Sequence, residues 1–352
     1  MTKTTPPYLL FSDVHFHNWN AFSFINEEGV NSRLQYQIDE LDRAYKALRE
    51  AGGTLAVCAG DLFHQRGKLA PSVTNPVRDF FRKQDDLDME TVILSGNHDL
   101  EGADADPLTS AVCMIQSDAT VAITDACQAS AEPMIYMIPW RSDLGRLREE
   151  IKELSESTDP EDPWDLIIHA PMNEVLMNIP NIGLNASEFE GMNFKRVFSG
   201  HYHAHKRLSE SVWSVGATGH QTWNDPGTQA GWCLVYEDRV EFSASHQPQF
   251  IKMPVVYDPE DMIEVDGHFI RADIIDPTPE SIIALREYVT SFGAAGVTVR
   301  SLVGEKESSR EGGETVSAVD SLDDSITKFA VDKHSKQVAV ECARILEEAR
   351  KE

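Results

Sequence analysis

Five short polar groups in the sequence, each directly after an apolar run, carry side chains that can bind metal ions or move protons. The groups are Asp13-Val14-His15, Gly60-Asp61, Gly96-Asn97-His98-Asp99, His169 and Gly200-His201-Tyr202-His203. They offer carboxylate oxygens, an amide oxygen and imidazole nitrogens. Taken singly, these groups also suit turns or structural histidines, because Gly, Asn and Asp favour turns. Their repetition predicts one site at the carboxyl ends of several strands, where the ligands of open α/β sheets gather.

The mixture of oxygen and nitrogen ligands favours a pair of divalent transition ions. Mn or Fe suits such a set better than Mg alone, and the absence of thiolate from the groups disfavours a structural zinc site. Two ions roughly 3.5–4 Å apart can share a hydroxide, lower the pKa of its parent water and neutralise the oxygens of a phosphoryl group. The predicted reaction is therefore phosphoester hydrolysis, with Mn as the expected metal and Mg or Fe as alternatives.

Apolar runs and amphipathic stripes predict the elements that must position these groups. Strands are expected at residues 8–11, 54–58, 91–95, 119–124, 134–138, 164–168 and 197–203. Helices are expected at 32–50, around Val73 to Phe81, and at 144–154. Alternating stretches at 212–215, 232–236 and 240–243 predict an antiparallel meander. The fold class is α/β, a sandwich of sheets with helices outside. On extended backbone Asp13 and His15 share a face, as do His201 and His203.

Composition limits the classes of protein that this chain can belong to. Its 352 residues, 41% of them hydrophobic, can bury one large domain and a smaller one. The balance of 31 Lys and Arg against 58 Asp and Glu gives a net charge of -27, which disfavours a stand-alone DNA-binding protein. Five scattered cysteines without a C-x-x-C pair predict reduced thiols in a cytoplasmic protein. No apolar run is long enough to predict a membrane span.

The five groups, in this order from about Leu9 to His203, resemble the calcineurin-like metallophosphoesterase superfamily. The resemblance implies a four-layer β-sandwich flanked by helices, with a dinuclear metal site at one end. By the same resemblance Asp13, His15 and His203 hold the first metal, and Asn97, His169 and His201 hold the second. Asp61 bridges the two ions. His98 is the non-ligand that delivers a proton to the leaving oxygen, and Asp99 orients its ring.

The flanking segments resemble a narrower group, the SbcD-like DNA double-strand-break repair nucleases and their phage recombination relatives. The resemblance lies in residues 60–67 and 216–225. It implies a DNA substrate, whose phosphate His64 and Arg66 would contact, although a packed imidazole and a surface salt bridge explain these two residues equally well. His17 is a further candidate for a place near the metals. The acidic charge departs from this picture, and a phage origin would place the protein in the host cytoplasm.

The resemblance and the sequence pattern together predict four regions. The nuclease domain spans residues 1–256, and a small β-α-β accessory DNA-binding cap spans 266–304. Residues 305–314 form a linker by composition, and 315–352 form an amphipathic helical tail. Such a tail either packs back on the chain or docks on a partner. In the SbcCD-like family it docks on an SMC-like ATPase of the SbcC type, which is the expected partner beside DNA. A second copy of this chain, in a homodimer, is a further candidate partner.

Two other functions compete with the nuclease prediction. A phosphatase or a cyclic-nucleotide phosphodiesterase would keep the chemistry with a small substrate, for which an acidic surface is no obstacle. A non-catalytic scaffold on the same fold would have no need of His98. The cap and the tail argue against the small-substrate enzyme.

Overall fold

The computed structural model describes residues 5–102, 109–176, 182–253, 264–275 and 277–302. The predicted linker and tail lie outside these residues. The helices are α1 (Ser32–Glu50), α2 (Pro71–Asp85), α3 (Leu144–Ser157) and α4 (Pro279–Ser291). The first eight strands are β1 (Tyr8–Phe11), β2 (Leu55–Cys58), β3 (Glu90–Leu94), β4 (Thr120–Ile123), β5 (Cys127–Ala131), β6 (Met134–Ile138), β7 (Trp164–His169) and β8 (Phe194–Gly200). The others are β9 (Lys206–Arg207), β10 (Val212–Ser214), β11 (Gly231–Val235), β12 (Val240–Ala244), β13 (Phe250–Met253), β14 (Phe269–Ile275) and β15 (Gly296–Leu302).

Two six-stranded sheets form the sandwich. Their strand orders are β12-β11-β1-β2-β3-β4 and β5-β6-β7-β8-β10-β9. Alternation along β1 shows the layers, because Tyr8 and Leu10 pack between the sheets while Leu9 and Phe11 pack against α1 and α2. In β7, Ile167 faces the first sheet and Ile168 faces the α3 side. The predicted sandwich with helices outside is confirmed, and its four layers run helix, sheet, sheet, helix.

Helix α1 matches its predicted bounds because its local signals are complete. Asn31 caps its first turn by accepting hydrogen bonds from the backbone of Arg33 and Leu34. Its apolar stripe is buried under the first sheet at Leu41 and Tyr45, among others. This packing brings the first two turns of α1 beside the loop that follows β1.

The predicted meander is wrong for its first member. Strand β10 pairs with β8 and β9 in the second sheet, whereas β11 and β12 pair with each other in the first sheet. Alternation predicts which residues of a strand are buried, but it carries no information on the sheet that the strand joins. Strands β5 and β9 were not predicted, since β5 has only partly buried and exposed residues and β9 has two exposed residues.

A third sheet holds the predicted β-α-β unit. Its order is β13-β14-β15, all parallel, with α4 between β14 and β15 in the sequence. The additional strand β13 lies before residue 256, so this sheet starts within the range predicted for the nuclease domain. The ring of Phe269 in β14 stacks on Phe22 of the sandwich with centroids 5.0 Å apart. Within the described residues, no helix is long and apolar enough to cross a membrane.

Candidate metal centre

The polar groups lie on sharp turns at the strand ends, and four of their residues have left-handed backbone. The φ angles are 50° at Asp13, 51° at His15, 53° at Asp61 and 105° at His201. Non-glycine residues rarely adopt such angles, and each costs on the order of 1–3 kcal/mol. The extended backbone predicted at Asp13, His15 and His201 is therefore wrong, because each turn re-aims a side chain toward the neighbouring strand ends.

Two glycines let these turns approach one another. A Cβ on Gly60 would lie 2.3 Å from Nδ1 of His169, and one on Gly96 would lie 2.2 Å from Oδ1 of Asp61. Both distances are well below van der Waals contact, so any side chain would displace a group of the site. The glycines of the G-D and G-N-H-D groups thus serve close packing of the loops.

Asp13, His15 and His203 form a first cluster, in which one ligand atom from each lies within 4.8 Å of the others. Asp13 is fully buried, and its Oδ2 accepts hydrogen bonds from Ser12 Oγ at 2.6 Å and from the His201 backbone at 3.0 Å. Its Oδ1 lies 3.8 Å from His15 Nε2 and has no hydrogen-bond partner in the described structure. A buried carboxylate oxygen without a donor is costly, and a cation would satisfy it.

Asn97, His169 and His201 form a second cluster. Oδ1 of Asn97 lies 3.1 Å from His169 Nε2 and 3.0 Å from His201 Nδ1. His169 Nδ1 donates a hydrogen bond to the carbonyl oxygen of Ala59 at 2.8 Å, which leaves Nε2 to face the cluster. An amide oxygen and two imidazole nitrogens thus meet around one point, as a metal site requires.

Asp61 lies between the two clusters. Its Oδ2 is 3.6 Å from His15 Nε2 of the first and 3.4 Å from His169 Nε2 of the second. Its Oδ1 accepts a hydrogen bond from the His98 backbone at 2.7 Å. Within the described part of the chain, the ion pairs of Asp13 and Asp61 are with histidines. The residues present therefore fit two divalent cations with Asp61 shared between them.

Electrostatic interactions within the clusters shift the pKa values in opposite directions. Burial favours the neutral form of Asp61, but His169 and His15 hold the pKa of its carboxyl group far below the usual range. Burial likewise disfavours charge on His169, yet Asp61 raises the pKa of its imidazole to about 9. Burial and the charge of His169 lower the pKa of His201 to about 3. Asp61 therefore stays ionised, and its negative charge lies next to both clusters.

His98 lies beside the clusters, and its ring is oriented by a backbone carbonyl group instead of by Asp99. Nδ1 of His98 donates a hydrogen bond to the carbonyl oxygen of His64 at 2.7 Å. Asp99 instead accepts from the backbone N–H groups of Phe63 and Gly96, both at 2.9 Å, and of Leu62 at 3.3 Å. Burial raises the pKa of Asp99 to about 7. The prediction that Asp99 orients the His98 ring is corrected, since Asp99 fastens the Asp61 loop to the Gly96 loop.

The three weaker candidates lie together at the rim. The His64 ring stacks on His98 with centroids 5.5 Å apart, and it lies 5.1 Å from the ring of His17. Burial and His17 lower the pKa of His64 to about 4. Arg66 is exposed, and its Nε donates to the carbonyl oxygen of Asn97 at 3.0 Å. His64 and Arg66 therefore contact residues of the clusters, and His17 contacts His64.

Asp225 supports a proposed ligand and was not singled out from the sequence. Its Oδ1 accepts a hydrogen bond from His203 Nδ1 at 2.8 Å, and its Oδ2 accepts from the backbone of Gln221 and Thr222. Burial opposes the shift, but the His203 bond helps to lower the pKa of Asp225 to about 2. A carboxylate behind a histidine fixes the tautomer that leaves Nε2 for a metal. The sequence signal was its place at the end of segment 216–225.

Comparison with known proteins places the chain in a family. Residues 6–205 match the family model described as calcineurin-like phosphoesterase. No curated protein matches the chain significantly. A dimetal phosphatase from Danio rerio is a similar solved structure, with a TM-score of 0.43 and 10% identity over 69% of this chain and 96% of the phosphatase. TT1561 of Thermus thermophilus has a TM-score of 0.41 and 12% identity over 68% of this chain and 99% of its own. Nuclease MPE of Pseudomonas putida has a TM-score of 0.30 and 18% identity over 67% of this chain and 87% of its own.

The family match covers more than half of the sequence, and it covers β1, β2, β3, β7 and β8, whose ends carry both clusters. The clusters supply the two adjacent sets of oxygen and nitrogen ligands that a dinuclear centre needs. The chain therefore belongs to the calcineurin-like phosphoesterase family, whose members hydrolyse phosphoesters with bound divalent metal ions.

Proposed function

We propose that this chain is a metal-dependent DNA nuclease, the catalytic subunit of an SbcCD-like repair or recombination complex in the cytoplasm. The observation that carries the proposal is the place of segment 216–225, on which the nuclease resemblance partly depends. Gln221 and Asp225 of this segment contact Asp13 and His203 of the first cluster. A segment that resembles one in these nucleases therefore supports two residues that we propose as metal ligands.

The proposed ligands follow the two clusters. Asp13, His15 and His203 would hold one ion, Asn97, His169 and His201 the other, and Asp61 would bind both. The bound ions, for which we propose Mn, would activate water at neutral pH and neutralise the phosphoryl oxygens. Two of the four imidazoles are held for this task, because His169 and His203 direct their second nitrogens to Ala59 and Asp225.

His98 would act as the general acid. The His64 carbonyl oxygen can only accept a hydrogen bond, so Nδ1 of His98 keeps its proton and Nε2 is the nitrogen that exchanges one. In the proposed reaction a water oxygen forms a new bond to phosphorus and loses a proton to solvent, while the P–O bond to the leaving end of the DNA strand breaks. Nε2 of His98 donates its own proton to that leaving oxygen. Asp99 acts indirectly, since it holds the loops that carry Asp61 and His98 in register.

The charge of the chain sets the conditions under which DNA can bind. With a net charge of -27, the protein repels the phosphate backbone at long range. Arg66, His17 and His64 are the rim groups that could contact a phosphate locally. We therefore propose slow digestion by the isolated chain, with ends or single strands preferred. A basic surface on an SbcC-type ATPase, recruited by residues 315–352, would supply the missing attraction. That tail lies outside the described residues.

The test compares labelled linear duplex, single-stranded DNA, an aryl phosphodiester and an aryl phosphomonoester, each with Mn or Mg. The His98→Asn variant, purified in parallel, controls for contaminating nuclease. We expect Mn-dependent cleavage of DNA that is absent from the variant. Rapid hydrolysis of the aryl esters with DNA intact in all conditions, including addition of the ATPase and ATP, would replace the nuclease by a phosphatase or a small-substrate phosphodiesterase.

A further inference from the structure

The loop of residues 13–15 has its hydrogen bonds divided between two sides. On one side, the N–H groups of Asp13 and His15 donate to the carbonyl oxygens of Gly60 and Asp61 at 3.0 and 3.1 Å. The loop thus lies along the Asp61 loop. The left-handed turns at Asp13 and His15 direct the carbonyl oxygens of the loop elsewhere, and buried carbonyl groups require donors.

Two buried glutamine side chains supply these donors. Nε2 of Gln37, on α1, donates to the carbonyl oxygens of Val14 at 2.6 Å and His15 at 3.0 Å. Nε2 of Gln221 donates to the carbonyl oxygens of Asp13 at 2.7 Å and Val14 at 3.5 Å. Both glutamines are only 4% exposed. Two amide groups, 184 positions apart in the sequence, therefore account for all three carbonyl oxygens of the loop.

The second cluster is held in another way. His169 is the last residue of β7, and its ring is fixed by the Ala59 carbonyl oxygen directly after β2. The first cluster depends on segment 216–225 for two of its three ligands, because Gln221 supports Asp13 and Asp225 supports His203. The first cluster thus has its support outside the strand ends.

Arg33 joins this support to the third sheet. Its Nη2 donates to the carbonyl oxygen of Gln221 at 2.7 Å. Its guanidinium lies 4.9 to 5.3 Å from the ring centroids of Trp19, Phe250 and Phe269. Since Arg33 and Gln37 are one turn apart on α1, one face of this helix contacts both the metal loop and the segment behind it.

We infer that Gln37 and Gln221 are positioning residues of the first metal site, and that loss of either amide donor releases the first ion while the second stays bound. The left-handed turn at Asp13 depends on these donors, and Asp13 Oδ1 is aimed by that turn. Among the described residues, neither amide group is hydrogen-bonded to Asn97, His169 or His201. This inference depends on the ligand assignment proposed above and is independent of whether the substrate is DNA.

The test replaces each amide by an apolar side chain of similar length, in Gln37→Met and Gln221→Met of the full chain. The matched control is Gln84→Met, because Gln84 is also fully buried and bonded, to Arg49 and Asp42 at 3.0 and 3.1 Å, on α2. Mn binding is measured by equilibrium dialysis with metal analysis, and electron paramagnetic resonance distinguishes coupled pairs of ions from single ions. Circular dichroism verifies the fold.

We expect two Mn ions in the unmodified protein and in Gln84→Met, bound as a coupled pair. In Gln37→Met and Gln221→Met we expect one tightly bound ion and a second site weakened by roughly 10–100-fold, the usual effect of losing a group behind a metal ligand. Anomalous diffraction at the Mn edge should place the remaining ion among Asn97, His169 and His201.

Three results would overturn the inference: two ions bound with unchanged affinity in folded Gln221→Met, a remaining ion at Asp13, or an equal loss in Gln84→Met. If Gln221→Met does not fold, Gln221→Glu keeps the shape of the side chain and places an oxygen against the Asp13 carbonyl oxygen. The same loss of one ion is expected there, and retention of both ions would contradict the inference.

Discussion

Strands β1, β7 and β8 carry ionisable groups at both ends, and the two ends treat these groups in opposite ways. At their beginnings, Asp165 accepts two hydrogen bonds from Arg196, at 2.8 and 2.6 Å, and one from the Tyr8 hydroxyl at 2.8 Å. All three side chains are buried. This carboxylate has its counter-charge within the protein, so the cluster is complete.

At the far ends of the same strands, and of β2 beside β1, the buried carboxylates lack a permanent counter-charge. Asp13 and Asp61 are buried as deeply as Asp165, but histidines are their ion-pair partners in the described structure, and Asp13 Oδ1 has no hydrogen-bond donor. Arginine would close such a cluster permanently, whereas histidine and a bare carboxylate leave room for a cation. The comparison teaches that burial alone does not mark a functional carboxylate; the missing counter-charge does.

The largest expected effect is that of Asp61→Ala. Because one carboxylate faces both clusters, we expect loss of both bound ions and a fall in hydrolysis of roughly 10³-fold or more. Metal analysis after gel filtration and a phosphodiesterase assay measure the two effects. Two fully occupied ions in the anomalous difference map of this variant would remove Asp61 from its proposed role.

A sharper separation of binding from chemistry comes from His98→Asn. The Nδ1–H group of His98 donates a hydrogen bond to a carbonyl oxygen. Since His98 is not a proposed ligand, both ions should remain bound. Loss of a general acid should lower the turnover by about 10²–10⁴-fold. The same two measurements apply, and a loss of metal comparable with that in Asp61→Ala would make His98 a ligand.

Asp165→Asn should lower the stability of the fold and leave metal binding unaffected, in contrast to Asp61→Ala. It leaves the buried guanidinium of Arg196 without its counter-charge, which costs about 3–5 kcal/mol of the free energy of unfolding. Metal content and turnover of the folded protein should be unchanged. Urea unfolding measures the loss, with Asp125→Asn as control, because Asp125 pairs with Arg141 but is 85% exposed. Equal stabilities of the two variants would contradict the comparison.

The smallest effect is a pH dependence of the metal-free protein. The pKa of His169 is raised from 6.5 to about 9, so its contribution is fully present below pH 6.5 and is lost as the pH rises through 9. We expect the free energy of unfolding to fall by on the order of 2 kcal/mol over this range.

With Mn bound, the trend should be opposite, because metal ligands must be deprotonated. Thermal unfolding with and without chelator, from pH 6.5 to 9, measures both trends. His169→Gln should make the stability of the metal-free protein less dependent on pH. A metal-free stability that rises with pH would contradict the raised pKa of His169.

Local patterns predicted the strand ends well because each depends on neighbouring residues. Strand β1 and helix α1 have the predicted bounds, since an apolar run and an amphipathic stripe with a glycine stop need no distant information. The same holds for the β-α-β unit predicted within residues 266–304, where the structure has β14, α4 and β15 in that order. The end of a strand such as β1, and with it the position of the polar group that follows, is therefore predictable from neighbouring residues.

Contacts between distant parts of the chain could not be predicted in this way. The sequence around Gln37 does not distinguish it from other buried glutamines such as Gln84. The resemblance of segment 216–225 does not indicate that Gln221 contacts Asp13. The task assigned to Asp99 was wrong for the same reason, because the backbone N–H groups that it binds belong partly to another loop. The sheet that β10 joins likewise depends on pairing with β8 rather than on its own residues.

The sequence by itself determined which residue types stand at the strand ends, since hydrophobic periodicity and turn chemistry act over a few residues. It thereby determined that carboxylate, amide and imidazole ligands would be available at one edge of the sheets. The resemblance implied the division into two sets, whereas the residue pattern alone put His201 and His203 on one face. Only the tertiary structure decided that these two histidines belong to different clusters. It also decided which amide meets which carbonyl oxygen. The physical reason is that sheet order and left-handed turns aim these atoms, and both depend on contacts between segments that lie far apart in the sequence.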